Sequence, residues 1–260
     1  MSSDNQLVKR LKNGTIRGII LDFDGTILDI REPLQKSIEE TFEEKQIKTD
    51  IETTMQEIGA LMEIIQGTPL PKILLESFEL FKYITSLQSL TFFKKLRIAV
   101  KIFTRYLMLA KEAPFYPEAE EFINKYKKSY DFFIVSHNQT KNIFPHLEDN
   151  KLKNIFKGVF GADLLPSLKP DPKALNPVFE SYKSCNLKEF IMIGDMPSDI
   201  QAGKEAGVWT IGVASGVSKK EMLAEFKPDL LVDSLEELKK LIENKNLSKS
   251  INQNSVKIKS

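Results

Sequence analysis

Apolar residues gather in short runs separated by stretches of helical periodicity along most of the chain. Residues 16–21, 132–135, 190–193, 210–213 and 230–232 read as buried strands. Helical patterns occupy 118–128, 172–183, 198–206 and 235–242. Strands alternating with helices predict an α/β fold, a Rossmann-like parallel sheet with helices on both faces. The first two strands break the rhythm, because the chain between them is too long for a bare loop. It is helical in pattern throughout. Leu34, Ile38 and Phe42 form one stripe; Ile51, Met55, Ile58 and Met62 form another. After a break at 67–71, Ile73, Leu74, Phe78 and Phe81 continue the pattern, followed by a long one over 90–109. Such stripes bury one another as a small inserted helical domain, its aromatics (Phe78, Phe81, Phe92, Phe93, Phe103, Tyr106) forming the core. The expected division is a loose polar arm over 1–14, a core over 15–30 and 114–244, the insertion over 31–113, and a polar, fraying tail over 245–260.

Composition narrows the function classes. A net charge of +1 argues against a protein that holds nucleic acid by bulk charge. The single cysteine, Cys185, excludes an intramolecular disulfide and a multi-cysteine metal site, and fits a reducing, cytoplasmic setting. No apolar run reaches the roughly 18 residues of a membrane span, and the amino terminus lacks a secretory pattern. Without such a signal, the Asn-x-Ser/Thr matches at Asn13, Asn138 and Asn246 carry no weight. A monomer and a homodimer are both compatible with the sequence.

The chemistry collects at strand ends. In open parallel sheets, ligands bind beyond the carboxyl ends of the strands. The first strand ends in Asp22-Phe23-Asp24-Gly25-Thr26, the second in Ser136-His137-Asn138, and the third in Gly194-Asp195, with Asp199 close behind. Lys169 lies in a loop before the helix that leads to the third strand. Adjacent strands lie about 4.8 Å apart, so these groups can converge. Carboxylates are hard ligands suited to Mg²⁺ together with a substrate phosphate. A carboxylate can also attack phosphorus, provided that cations offset its charge. Ser136 and backbone N–H groups can hold the remaining phosphoryl oxygens. Asp22 and Asp24 face the same side of an extended strand. Their roles differ: Asp22 must be ionised to attack, and Asp24 serves best protonated, giving its proton to the leaving oxygen.

On these residues the chain resembles the haloacid dehalogenase-like hydrolases, in particular their phosphoglycolate phosphatase-like branch. The resemblance rests on Asp22-Phe23-Asp24-Gly25-Thr26-Ile27, Ser136, Lys169-Pro170-Asp171-Pro172 and Gly194-Asp195-Met196-Pro197-Ser198-Asp199-Ile200, in the family's order. It implies that the insertion is a cap domain and that Asp22 is the nucleophile and a Mg²⁺ ligand. It also implies that Asp24 is the acid/base and lends a backbone carbonyl to the metal. Ser136 and Lys169 would bind the phosphoryl group; His137, next to Ser136, is counted with them as substrate-binding, through its backbone or packing. Asp195 would complete the protein ligands of the metal, with Asp199 beside it as a further ligand or as support for the others. The implied activity is Mg²⁺-dependent hydrolysis of a small phosphorylated metabolite through an aspartyl-phosphate. The chain departs from the family pattern at Ile30 and at His137-Asn138.

Other readings compete. Strand-end acids also cap turns, Asp199 suits the first turn of a helix, and a lone serine or lysine carries no function. A phosphomutase uses the same nucleophile, and a binding protein could reuse the fold. Arg97, Lys101 and Arg105 share a helix face and are either a solvated surface or a second anion contact. Arg31 lies just behind the first motif. His146 is expected on a helix surface and Cys185 to be idle.

Overall fold

The computed structural model describes residues 3–47, 50, 51, 53–55, 57, 87 and 90–244. Ile58, Met62, the break at 67–71, Ile73, Leu74, Phe78, Phe81, Asn246 and the tail over 245–260 lie outside the described residues.

In chain order the main elements are α1 (Ser3–Lys12), β1 (Gly18–Leu21), α2 (Arg31–Glu44), α3 (Phe92–Leu109), α4 (Pro117–Tyr126), β2 (Asp131–Val135), α5 (Thr140–Asp149) and β3 (Phe156–Phe160). They continue with α6 (Asn176–Glu180), β4 (Phe190–Gly194), α7 (Pro197–Glu205), β5 (Trp209–Val213), α8 (Lys220–Glu225), β6 (Leu230–Val232) and α9 (Leu235–Glu243). The six strands among the described residues are all parallel, in the order β3-β2-β1-β4-β5-β6. From β1 the chain builds outward through β2 and β3, then returns to lay β4, β5 and β6 on the other side. The carboxyl ends of β1, β2 and β4 therefore flank the point where the winding reverses. Leu21 is level with Ile134 on one side and Ile193 on the other, so the residues that follow each strand emerge side by side.

Both faces of the sheet are covered, as the continuous apolar runs predict. Ile19, Leu21, Ile134 and Ile193 point into the larger core with Phe122 and Ile123 of α4 and Leu238 of α9. Ile20, Phe133, Val135 and Met192 point the other way, against Ala174, Leu175 and Val178. Gly203 lets α7 press on the sheet, since a Cβ there would come within 2.6 Å of Thr210 Cγ2. The chain starts α4 with Pro117 and acids in its first turn, where missing N–H groups and the helix dipole suit them.

Two elements depart from the sequence expectations. The loose arm is a helix, α1, whose Leu7, Val8 and Leu11 are buried in the larger core. Tyr130 Oη donates to the Leu11 carbonyl at 2.9 Å and ties down its end. A narrow stripe of three apolar residues among charges is a weak periodic signal. The sheet also has one strand more than expected. In β3, Lys157 and Gly158 interrupt the apolar run, which an edge strand tolerates because only part of it is buried. The inserted helices α2 and α3 pack on each other, and the chain enters and leaves them through two paired segments. Leu28 bridges to Phe115, Asp29 N–H donates to the Pro114 carbonyl and Tyr116 N–H donates to Ile27.

Burial of α1 has a direct test. Leu7→Ala should destabilise the protein by about 2–5 kcal/mol in urea unfolding, as for other buried leucines, whereas truncation in a loose arm would cost under about 0.5 kcal/mol.

Candidate active site

The ends of β1 and β4, with the loop before Pro170, bring Asp22, Lys169, Asp195 and Asp199 together. Asp22 N–H donates to the Ile193 carbonyl at 2.9 Å, extending the pairing of β1 with β4 to the carboxylate itself. Lys169 Nζ donates to Asp22 Oδ1 and to Asp199 Oδ1, at 2.6 Å each. All four side chains are buried. One oxygen each from Asp22, Asp195 and Asp199 lies within 4.8 Å of the other two. Asp199 does two things at once: its Oδ2 accepts the Met196 N–H at 3.1 Å at the start of α7, and its Oδ1 holds Lys169. Its capping and functional readings are compatible.

Asp195 is fixed by groups that hold no charge. Thr26 Oγ1 donates to its Oδ1 at 3.2 Å, and Val217 N–H donates to its Oδ2 at 3.0 Å. Two glycines make room for it. A Cβ on Gly216 would fall 1.9 Å from Asp195 Oδ2, and one on Gly25, whose φ is +85°, would fall 2.3 Å from it. At Gly194 a Cβ would collide with Asp199 Oδ2 at 2.0 Å.

Asp24 points to a different neighbour. Asn138 Nδ2 donates to its two oxygens at 3.0 and 3.3 Å. Ser136, buried at the end of β2, accepts the Asn138 N–H on Oγ at 3.0 Å, which leaves its own O–H to donate. His137 is buried beside it. Asn138 is a site residue that the sequence reading passed over as a departure. The clue was its place two residues beyond Ser136. Gly216 and the Val217 N–H had no clue, because backbone groups in a loop leave no mark in the pattern of side chains.

The electrostatics follow from burial. Among the described residues, four carboxyl groups share this space with one ammonium, and an unpaired buried charge is costly. Burial and then the neighbouring Asp22 push Asp24 up from 3.8 to about 7. Asp195 is driven well above its ordinary value by burial, then by Asp22 and Asp199. Asp199 rises to about 6 through burial, although Lys169 opposes the shift. For Lys169, burial favours the neutral amine, but Asp199 and Asp22 outweigh it and keep the ammonium firmly charged. Surplus negative charge on hard oxygen donors, with glycines clearing the space around Asp195, fits a divalent cation such as Mg²⁺.

The other candidates fall away from the site. Arg105 donates to Thr41 Oγ1 at 2.7 Å and to Glu44 Oε2 at 3.0 Å, and Lys101 also pairs with Glu44. These two cations fasten α3 to α2, while Arg97 is exposed. Arg31 is held by Asp29, with its Nε and Nη2 donating at 3.1 and 2.9 Å, and lies over the Tyr116 ring. His146, expected at the surface, is half-buried with its ring 5.8 Å from that of Phe23, so it serves packing behind the first motif. Cys185 is half-buried against the smaller core. No helix among the described residues is long and apolar enough to cross a membrane.

A model of the haloacid dehalogenase-like hydrolases matches residues 19–213, a span that contains each of these acids and Lys169. The chain belongs to the haloacid dehalogenase-like hydrolase family. Among curated members, the phosphoglycolate phosphatase of Vibrio parahaemolyticus is 30% identical over 128 residues, 49% of this chain and 56% of that one. The pyrophosphatase PpaX of Listeria welshimeri is 35% identical over 113 residues, 44% of this chain and 52% of that one. The chain thus spans about half the length of the curated relatives it matches. Among solved family structures, a predicted phosphoglycolate phosphatase of Haemophilus somnus has a TM-score of 0.65 at 21% identity, covering 87% of this chain and 98% of that one. The HAD-hydrolase YfnB of Bacillus subtilis, described as bound to magnesium, has a TM-score of 0.64 at 20% identity, covering 88% and 99%. At these identities the likeness is one of fold.

The raised pKa of Asp24 makes stability depend on pH. In metal-free protein the folded form keeps this proton up to about pH 7, whereas the unfolded chain releases it near 3.8. The contribution is therefore full below 3.8 and is lost as pH rises through about 7. Urea unfolding should show wild type losing stability relative to Asp24→Asn across that window, by up to about 1.4 kcal/mol per pH unit. A flat difference would contradict the assignment.

Proposed function

We propose that this chain is a Mg²⁺-dependent phosphatase that hydrolyses a small phosphorylated metabolite through an aspartyl-phosphate on Asp22. The observation that carries the reading is the division of labour between two acids on one strand end. Asp22 is held by the Lys169 ammonium at 2.6 Å, while Asp24 accepts instead from Asn138 Nδ2 at 3.0 Å, and burial pushes it toward its protonated form. One is kept ready to attack and the other to donate.

In the first step an Asp22 oxygen attacks phosphorus, and the bond from phosphorus to the leaving oxygen breaks as Asp24 gives that oxygen its proton. Lys169 and the Ser136 hydroxyl hold phosphoryl oxygens as charge shifts among them. In the second step Asp24, now a carboxylate, takes a proton from water, whose oxygen attacks phosphorus and frees Asp22 and phosphate. Asp22, Asp195 and Asp199, with the Asp24 carbonyl, would hold Mg²⁺, which when bound offsets the negative charge of the carboxylate and phosphate that must meet. His137 supports the wall beside Ser136. We read 31–113 as a cap that excludes bulk water and screens the leaving group, which favours small metabolites in the cytoplasm over phosphoproteins.

The relatives named for phosphoglycolate and pyrophosphate hydrolysis make both compounds first candidates. They differ in chemistry. A glycolate alkoxide needs a proton to leave, and a phosphate leaving group needs it far less. Two variants test the mechanism by phosphate release with Mg²⁺. Asp22→Asn should lower kcat by about 10⁴-fold or more on every substrate. Asp24→Asn should cost about 10²–10⁴-fold on an alkyl ester and less on pyrophosphate. Full activity in Asp22→Asn, or in the presence of EDTA, would overturn the reading.

A further inference from the structure

Tyr106 stands out among the buried polar side chains. It lies in the last turn of α3 and is only 2% exposed, continuing the inward stripe begun by Ile98 and Ile102. Its hydroxyl is sealed from water and has no hydrogen-bond partner among the described residues. A buried hydroxyl is normally satisfied, so an orphan calls for a reason. Nothing about packing requires the oxygen, because phenylalanine would fill the same volume.

Its setting supplies the reason. From the end of α3 the chain runs through Pro114 to Phe115, which bridges to Leu28, and Leu28 itself bridges to Asp24. The charges that act on the phenol are those of the site, Asp24 first, then Asp195 and Asp22. Burial first, and these charges after it, hold its pKa well above 10.0. The proton stays on, and the hydroxyl is left as a buried donor without an acceptor among the described residues. Arg105, next along the helix, is occupied by Thr41 and Glu44. Among the described residues, Tyr106 is thus a buried polar group of α3 whose hydroxyl is left without a partner.

We propose that Tyr106 is a specificity residue, its hydroxyl donating a hydrogen bond to an oxygen on the leaving group of the substrate, beyond the bridging ester oxygen. The assignment rests on the phosphatase reading. Because the hydroxyl is closed off, a substrate oxygen reaches it when α2 and α3 lift from the core about the paired segments at Leu28 and Phe115.

The test compares wild type with Tyr106→Phe on phosphoglycolate, pyrophosphate and a sugar phosphate, whose leaving groups carry further oxygens, and on phenyl phosphate, whose leaving group carries none. Tyr106→Phe should raise KM for the best oxygen-bearing substrate about tenfold and leave phenyl phosphate within about twofold. Its Tm without ligand should stay level or rise, since an unsatisfied group is removed. Equal effects on all substrates, no effect on any, or a fall in Tm would overturn the assignment while leaving the phosphatase reading intact. Wild type inert on all of them with Mg²⁺ would overturn that reading and this assignment with it.

Discussion

Lys169 sits between Asp22 and Asp199, 2.6 Å from each, in a space that water barely enters. One ammonium cannot balance the carboxyl groups that β1 and β4 deliver there, and the surplus explains much of the surroundings. After burial, it helps to raise the pKa values of Asp24, Asp195 and Asp199. It accounts for the neutral donors that steady Asp195, namely the Thr26 hydroxyl and the Val217 N–H. It also makes a divalent cation the natural complement. Such a cluster would be a liability in a core built for stability alone, because apolar residues of similar volume stabilise as well or better. Its cost makes sense as preorganisation for the proposed phosphorylated substrate.

The sheet is what makes the cluster affordable in geometry. A parallel sheet wound in both directions from β1 sends the residues after β1, β2 and β4 to the same edge. The glycines at 25, 194 and 216 then let backbone close in on the acids. The insertion meets the core through short paired segments at Leu28 and Phe115. Two of its cations, Lys101 and Arg105, are spent inside it against Glu40 and Glu44. The recognition role proposed for Tyr106 would come from that side.

What the sequence made legible depended on how the information is written in it. Asp22, Asp24, Lys169, Asp195 and Asp199 could be picked out because strand ends and fixed spacings mark them, and Leu34, Ile38 and Phe42 announced α2 by period. The strand β3 escaped because an edge strand with Lys157 and Gly158 has no continuous apolar run. The helix α1 escaped because three apolar residues among ten carry little periodic signal. Asn138, Gly216 and the Val217 N–H were hidden for a different reason. They act through the approach of distant loops, and local pattern does not encode which loops meet. The basic face of α3 shows the same limit: Arg105 and Lys101 look alike facing solvent, a substrate or Glu44 until the partner helix is in place.

The central claim is covalent attack by Asp22. Asp24→Asn given p-nitrophenyl phosphate, whose leaving group departs unaided, should complete the first step and stall at the second, where Asp24 must activate water. Acid quenching followed by peptide mapping should then find a phosphoryl group on the peptide containing Asp22, and none after Asp22→Asn in the same background. Release of p-nitrophenol with no phosphorylated peptide, or with the phosphoryl group on another residue, would contradict the account.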